Sequence, residues 1–345
     1  MRKQSSMLIV LIAGCAALFA ACTPAPLTPA TTTTTNTVPE TTTPTTPTTT
    51  TVPETTTTTT PQPPAPSAVI ATIPVGKYPN GLAFDGTNVW VSMDFAPFVV
   101  ARIDPLTDTV ASTTEIAQGN ANSLAFDGTN IWVVNSGSRT VSKISTATGT
   151  LTASVRVGQS SRGMAFDGTS IWVTDLYGFV TKIDPTTNTV TATVTVGSYP
   201  RGVASDGTSV WVANSGSSSV SKIDMTTNAV TATVAVGTRP EGVVWDGASV
   251  WVANENSGTL SRIDPATNAV TATIPAGDRP RALAFDGTSL WVTNLVAGTV
   301  TRIAPTAGTV TATLPVGDTP LNVNWDGTYI WVANFDSGTV TKIRP

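Results

Sequence analysis

Five arginines stand in short segments that differ from one copy to the next: Arg201, Arg239, Arg279 and Arg281 flank a recurring proline, and Arg162 follows Ser161 at the matching place. A guanidinium fork matches the geometry of a carboxylate or phosphate. Together with Tyr199, these arginines are therefore the candidate ligand-binding residues, and the expected ligand is anionic. The simpler reading is that Glu241, Asp278 and Asp318 of the same segments balance them as solvated loop charges. Asp94, Asp175, Glu241, Glu255 and Asp278 are the carboxylates that a metal-assisted hydrolase or lyase, of lactonase type, would need to gather. The chain has no histidine. That excludes imidazole general bases, Ser-His-Asp and Cys-His nucleophile systems, and histidine zinc sites. Its two cysteines, Cys15 and Cys22, both lie near the N-terminus, so the rest of the chain holds neither a disulfide nor a thiolate metal site. No phosphate-cradling glycine loop, nucleophile elbow or EF-hand loop occurs. No catalytic residue, metal site or cofactor is assigned, and the reading favours a binding role over a reaction.

The elements that position these residues repeat. Asp-Gly is followed by Trp-Val five residues after the Asp at Asp85/Trp90, Asp127/Trp132, Asp167/Trp172, Asp206/Trp211, Asp246/Trp251, Asp286/Trp291 and Asp326/Trp331, with Asp spacings of 42, 40, 39, 40, 40 and 40. In one unit, Ala229 to Val236 alternates in polarity like a strand with one sheltered face. Gly237 to Gly242 carries turn residues, and Val243 to Trp245 is a short apolar strand. Asp246-Gly247 is a hairpin signal, because glycine tolerates the positive φ of a tight turn. Val250 to Ala253 and Thr259 to Ile263 complete four strands. The last unit stops at Thr339 to Ile343, one strand short, and Ala68 to Val75 supplies the missing kind of strand at the other end. Seven units of this size, joined end to end, predict an all-β fold: a seven-bladed β-propeller, four antiparallel strands per blade, its last blade closed by the N-terminal strand.

Units such as Pro200 to Gly207, Val210-Trp-Val-Ala-Asn214 and Val220-Ser-Lys-Ile-Asp224 resemble the YVTN-type β-propeller repeats, with Val-Trp-Val-Ala-Asn where that family has Tyr-Val-Thr-Asn. The resemblance covers residues 67–345. More loosely, the repeats are similar to NHL repeats and to the virginiamycin B lyase group. Those lyases depend on a catalytic histidine and a divalent metal, so the resemblance does not carry their activity to a chain without histidine.

Features that recur in every unit are most simply structural. The Asp-Gly pairs are expected to be turns and the Trp-Val tryptophans to pack between blades. The cation before Ile (Arg102, Lys143, Lys182, Lys222, Arg262, Arg302, Lys342) is expected to pair with acids or face solvent. Strand order puts the variable segments on one face of the disc and the uniform Asp-Gly-Thr and Asp-Pro-Thr-Thr-Asn turns on the other. Variety on one face marks it as the ligand face. There Lys77, Tyr78, Asn80, Asn120, Asn122 and Asn322 accompany the arginines, and Phe95, Phe98, Leu176, Tyr177, Leu295 and Phe335 could form a contact surface for a protein or glycan.

Ahead of the repeats the chain changes character. Arg2 and Lys3 precede an uncharged, mostly apolar run from Met7 to Ala21, too short to span a bilayer comfortably, which reads as an export signal. Leu18-Phe19-Ala20-Ala21-Cys22 resembles a bacterial lipoprotein cleavage box, making Cys22 the expected lipidation site, with Cys15 as the alternative. Residues 1–22 are thus a signal peptide, 23–66 a Thr/Pro-rich spacer with almost nothing to bury, and 67–345 the propeller. An extended spacer of this length would reach on the order of 100 Å. The chain is expected outside the cytoplasm, lipid-anchored to a bacterial cell envelope, as a monomer whose partner is a protein or cell-wall glycan. Its net charge of −4 argues against nucleic acid, whose binding rests on neutralising phosphates.

Overall fold

The computed structural model describes residues 66–345, apart from 117 and 118. The expected signal peptide, Cys15, Cys22 and nearly all of the Thr/Pro spacer lie outside the described residues. The remainder forms a seven-bladed β-propeller of four-stranded antiparallel sheets, with no helix among the described residues.

Blade 4 shows why the sequence folds this way. Its strands, from the channel outwards, are Pro200–Ser205, Ser209–Asn214, Ser219–Asp224 and Val230–Ala235. The outermost strand alternates between sheltered and exposed side chains. The Trp strand is buried at every position, because neighbouring blades cover both its faces, and its run Val-Trp-Val-Ala is accordingly apolar without alternation. Between the inner strand and the Trp strand, Asp206 Oδ1 accepts the amides of Thr208 and Ser209 at 2.8 and 2.7 Å, while Oδ2 accepts Trp211 Nε1 at 2.7 Å. Gly207 takes the positive φ of the turn (87°). The Asp-to-Trp bond recurs in all seven blades.

The core lies between blades. All seven repeat tryptophans are fully buried, and each reaches the next blade; Trp211 packs with Val250, Val252 and Ile263 of blade 5. The recurring cations do not behave as the sequence suggested. Each lies over its own blade's tryptophan, 5.0–5.9 Å from the ring. Lys143, Lys182, Lys222 and Lys342 then donate to the carbonyls of Pro185, Met225, Pro265 and Pro105 in the following blade. Lys342 also pairs with Asp108 at 2.8 Å, the one acid partner of this set among the described residues. A buried indole face and an orphan turn carbonyl hold an ammonium without a carboxylate.

Closure follows the expectation. Ala68–Pro74 pairs antiparallel with Thr339–Arg344, outermost in blade 7. The inner strand of blade 1 packs against that of blade 7, so the ring has no free inner edge.

The channel mouth as candidate functional site

The inner strands begin earlier than the sequence indicated, in blade 5 three residues before Val243. They start at the proline itself, as in Pro240–Trp245 and Pro280–Phe285, since proline is tolerated at the first position of a strand. A bulge follows at once: Pro200 pairs with Asn214 but Val203 with Val212. The same irregularity occurs in every blade. Bulges re-aim side chains. Here the residue after the proline position turns to the channel, and seven such residues ring its mouth: Asn80, Asn122, Arg162, Arg201, Glu241, Arg281 and Leu321. Small residues behind them let the blades approach. A Cβ on Gly202 would lie 2.2 Å from the Glu241 carbonyl oxygen, and one on Gly163 2.0 Å from that of Arg201.

A second ring stands above the first. The residue after each Trp strand donates its amide to the residue before the proline position, as in Asp94 to Tyr78 (2.9 Å), Glu255 to Arg239 (2.9 Å) and Phe335 to Thr319 (3.0 Å). These bonds tie the two variable segments of a blade into one unit. Asp94 and Phe335 reach the mouth from this ring.

The cavity measures about 470 Å³, within the range of small-molecule sites. Arg162, Arg201 and Arg281 line it. Arg239, Arg279 and Tyr199 do not: they precede the prolines, take left-handed φ values of 51–56°, and sit on the outer rim, Tyr199 being 58% exposed. The rim arginines are engaged by two buried glutamates. Glu255 receives Arg279 Nε at 2.8 Å, Arg239 Nη1 at 3.6 Å and Arg281 Nη1 at 3.5 Å. Glu241 accepts hydrogen bonds from Ser215 Oγ at 3.1 Å and Arg239 Nε at 3.3 Å, and Arg201 Nε stands 3.8 Å away as an ion pair without a hydrogen bond. Of the three acids expected to balance the arginines, Glu241 does so; Asp278 and Asp318 are exposed and form no ion pair among the described residues.

The mouth is lopsided. Blades 3 to 6 supply the arginines and both glutamates, whereas blades 7, 1 and 2 supply amides, aromatics and a single acid, Asp94. Arg162 Nη1 donates to Asn122 Oδ1 at 2.9 Å, and Asn80 Nδ2 to the same oxygen at 3.3 Å. Phe335 forms part of the wall. Tyr78 stacks on it at 4.7 Å with 29° between planes, and Phe95 meets Tyr78 edge-on at 5.6 Å. Among the residues that line the cavity, three guanidinium groups (Arg162, Arg201, Arg281) face two carboxylates (Asp94, Glu241), an excess of one positive charge in a net acidic chain. Burial pushes Arg281 down from arginine's usual value, Glu241 and Glu255 opposing; it stays a cation. Burial raises Asp94 to about 6, with the Arg162 charge pulling the other way. Its Oδ1 has no hydrogen-bond partner among the described residues.

The carboxylates considered for metal-assisted chemistry are dispersed. Glu241 and Glu255 are taken up by arginines. Asp175 accepts the amides of Ser160 and Tyr177 in its own loop. Among the described residues no three metal-ligating side chains gather. Sequence reasoning passed over Leu321 and Asn324 and did not see that Glu255 is a buried hub. Aligning the units on the residue after the proline position would have found the first ring.

No protein-family model matches the chain, and no curated protein matches it. Among solved structures, the chain is similar to a chain of the Kuenenia stuttgartiensis hydrazine synthase, 21% identical, with a TM-score of 0.69, covering 79% of this chain and 96% of that one. At that identity the likeness is one of fold: the protein shares a β-propeller with it.

Proposed function

We propose that this protein is a non-catalytic binding or scaffold module that takes an anionic ligand, presented by a protein, a glycan or a wall polymer, at the channel mouth of its variable face. The observation that carries the reading is the convergence of Arg162, Arg201 and Arg281 on one cavity with positive charge in excess. Desolvated guanidinium groups held by buried partners are pre-organised for carboxylate or phosphate. The sequence adds the setting: lipid attachment at Cys22 and a Thr/Pro spacer would display the module on a bacterial envelope, as an outlying relative of the YVTN-type propellers.

The test is thermal unfolding of the protein against carboxylates, phosphates, nucleotides, acidic and neutral glycans and divalent ions. A ligand at 100 times its Kd adds about 2.7 kcal/mol. An anion-specific shift, weakened by salt and lost in Arg201→Ala and Arg281→Ala, is expected. A shift with divalent ions alone would replace this reading with metal-assisted chemistry, and no shift with any anion would overturn it. For the anchor, Cys22→Ser is expected to abolish metabolic labelling with palmitate and Cys15→Ser to leave it; the reverse would move the anchor to Cys15.

A further inference from the structure

We infer that the occupant of the mouth is an acidic saccharide, a sugar ring bearing a carboxylate, as in a polyuronate; this rests on the anion-binding reading above. The cavity offers Arg201 and Arg281, each within ion-pair distance of a buried carboxylate. Blade 7, next to blade 6 in the ring, offers what an anion alone does not need. Asn322 and Asn324 line the cavity, are half-buried, and form no side-chain hydrogen bond among the described residues. An amide both donates and accepts, as does each hydroxyl of a sugar. Beside them stands Phe335, its ring stacked on Tyr78. The electron-rich face of an aromatic ring attracts the weakly positive C–H groups on a sugar's apolar side. Cation, amides and an aromatic side chain therefore line one cavity of about 470 Å³, and a pyranose with a carboxylate would use all three: acid toward Arg281 of blade 6, hydroxyls toward the amides of the adjoining blade 7, ring against Phe335. A phosphate would engage the arginines and leave the amides and aromatic face idle.

The experiment is calorimetric titration of the purified protein with oligogalacturonate, the matching neutral oligosaccharide, galacturonate monomer, inorganic phosphate and a nucleoside monophosphate. Oligogalacturonate is expected to bind at least tenfold more tightly than either phosphate compound or the neutral sugar. Phe335→Ala and, separately, Asn322→Ala with Asn324→Ala should each weaken it about tenfold while leaving phosphate binding unchanged; Phe335→Trp should retain it. Phosphate or nucleotide binding as tightly as the acidic sugar, or indifference to the Phe335 and asparagine changes, would overturn the saccharide inference and leave the anion site standing. Binding of the neutral sugar alone, or of none of the five, would overturn both.

Discussion

Arg281 of blade 6 places Nη1 3.5 Å from Oε2 of Glu255, a fully buried carboxylate that arises from blade 5. The pair ties two blades together and fixes the direction of an arginine that lines the channel. Glu255→Gln leaves Arg279 and Arg281 without their counter-charge, and because both arginines keep partial access to water the loss is moderate. A decrease of about 2 kcal/mol in denaturant unfolding is expected, with anion affinity rising as one negative charge leaves the mouth. Unchanged affinity would mean that the glutamate's field does not reach the ligand.

Asp94 predicts a pH dependence. Its pKa of about 6 in the folded protein means that acidification from pH 7 to 5 neutralises a carboxylate at the mouth. A unit charge at this range is worth on the order of 1 kcal/mol, so anion binding should tighten about fivefold. In Asp94→Asn the affinity should stay flat over this interval. Stability supplies a second readout. The folded pKa lies above the ordinary value, so the folded state holds this proton more tightly; that contribution is full below pH 4 and lost as pH rises through 6. Asp94→Asn should thus gain on the wild type at pH 7, the difference closing toward pH 4.

The turn aspartates behave in the opposite sense. Burial acts to raise Asp127, Asp167, Asp206 and Asp286, but the Trp Nε1 and turn amide bonds outweigh it and hold them below the usual carboxylate value. Their stabilisation is present above the ordinary carboxylate pKa and is lost as pH falls below about 4. Asp206→Ala orphans Trp211 Nε1 and two turn amides and should cost about 3 kcal/mol, measured by urea unfolding at pH 7, with a weaker acid dependence than the wild type.

At Gly202 the backbones of blades 4 and 5 approach so closely that a Cβ would lie 2.2 Å from the Glu241 carbonyl oxygen. The obstacle to a methyl group there is the Glu241 carbonyl, backbone that a rotamer change cannot move. Gly202→Ala should destabilise by about 1–3 kcal/mol and widen the mouth between Arg201 and Glu241, weakening anion binding as well. Equal stability would show that neighbouring blades slide apart without cost.

Closure by Ala68–Pro74 predicts that removing this strand exposes the unpaired edge of Thr339–Arg344 and the apolar surface that Ile73 covers. Chains beginning after Val75 should lose the single cooperative transition and aggregate through that edge, seen by light scattering during thermal unfolding.

The propeller was legible in the sequence because its signals are local and repeated. Asp-Gly must turn, since the aspartate carboxylate caps the turn within three residues of itself. Val-Trp-Val-Ala must be buried on both faces, and Ala68 to Val75 complements the truncated last unit. The fate of Arg102, Lys143 and their counterparts was not legible, because they rest on the tryptophan ring of the neighbouring strand and, for Lys143 and Lys182, on carbonyls about forty residues away. The candidate site was half legible. The sequence put all five arginines on one face but did not separate Arg162, Arg201 and Arg281, which line the cavity, from Arg239 and Arg279. That Arg239 and Arg279 instead turn outward onto Glu241 and Glu255 followed from the bulge after the proline, which sends the residue on one side of it to the channel and the one before it to the rim. The sequence by itself determined the blades and the face on which they vary. Only the tertiary structure decided which varied side chains share a cavity, because ring closure brings into contact residues that the chain separates by up to its whole folded length.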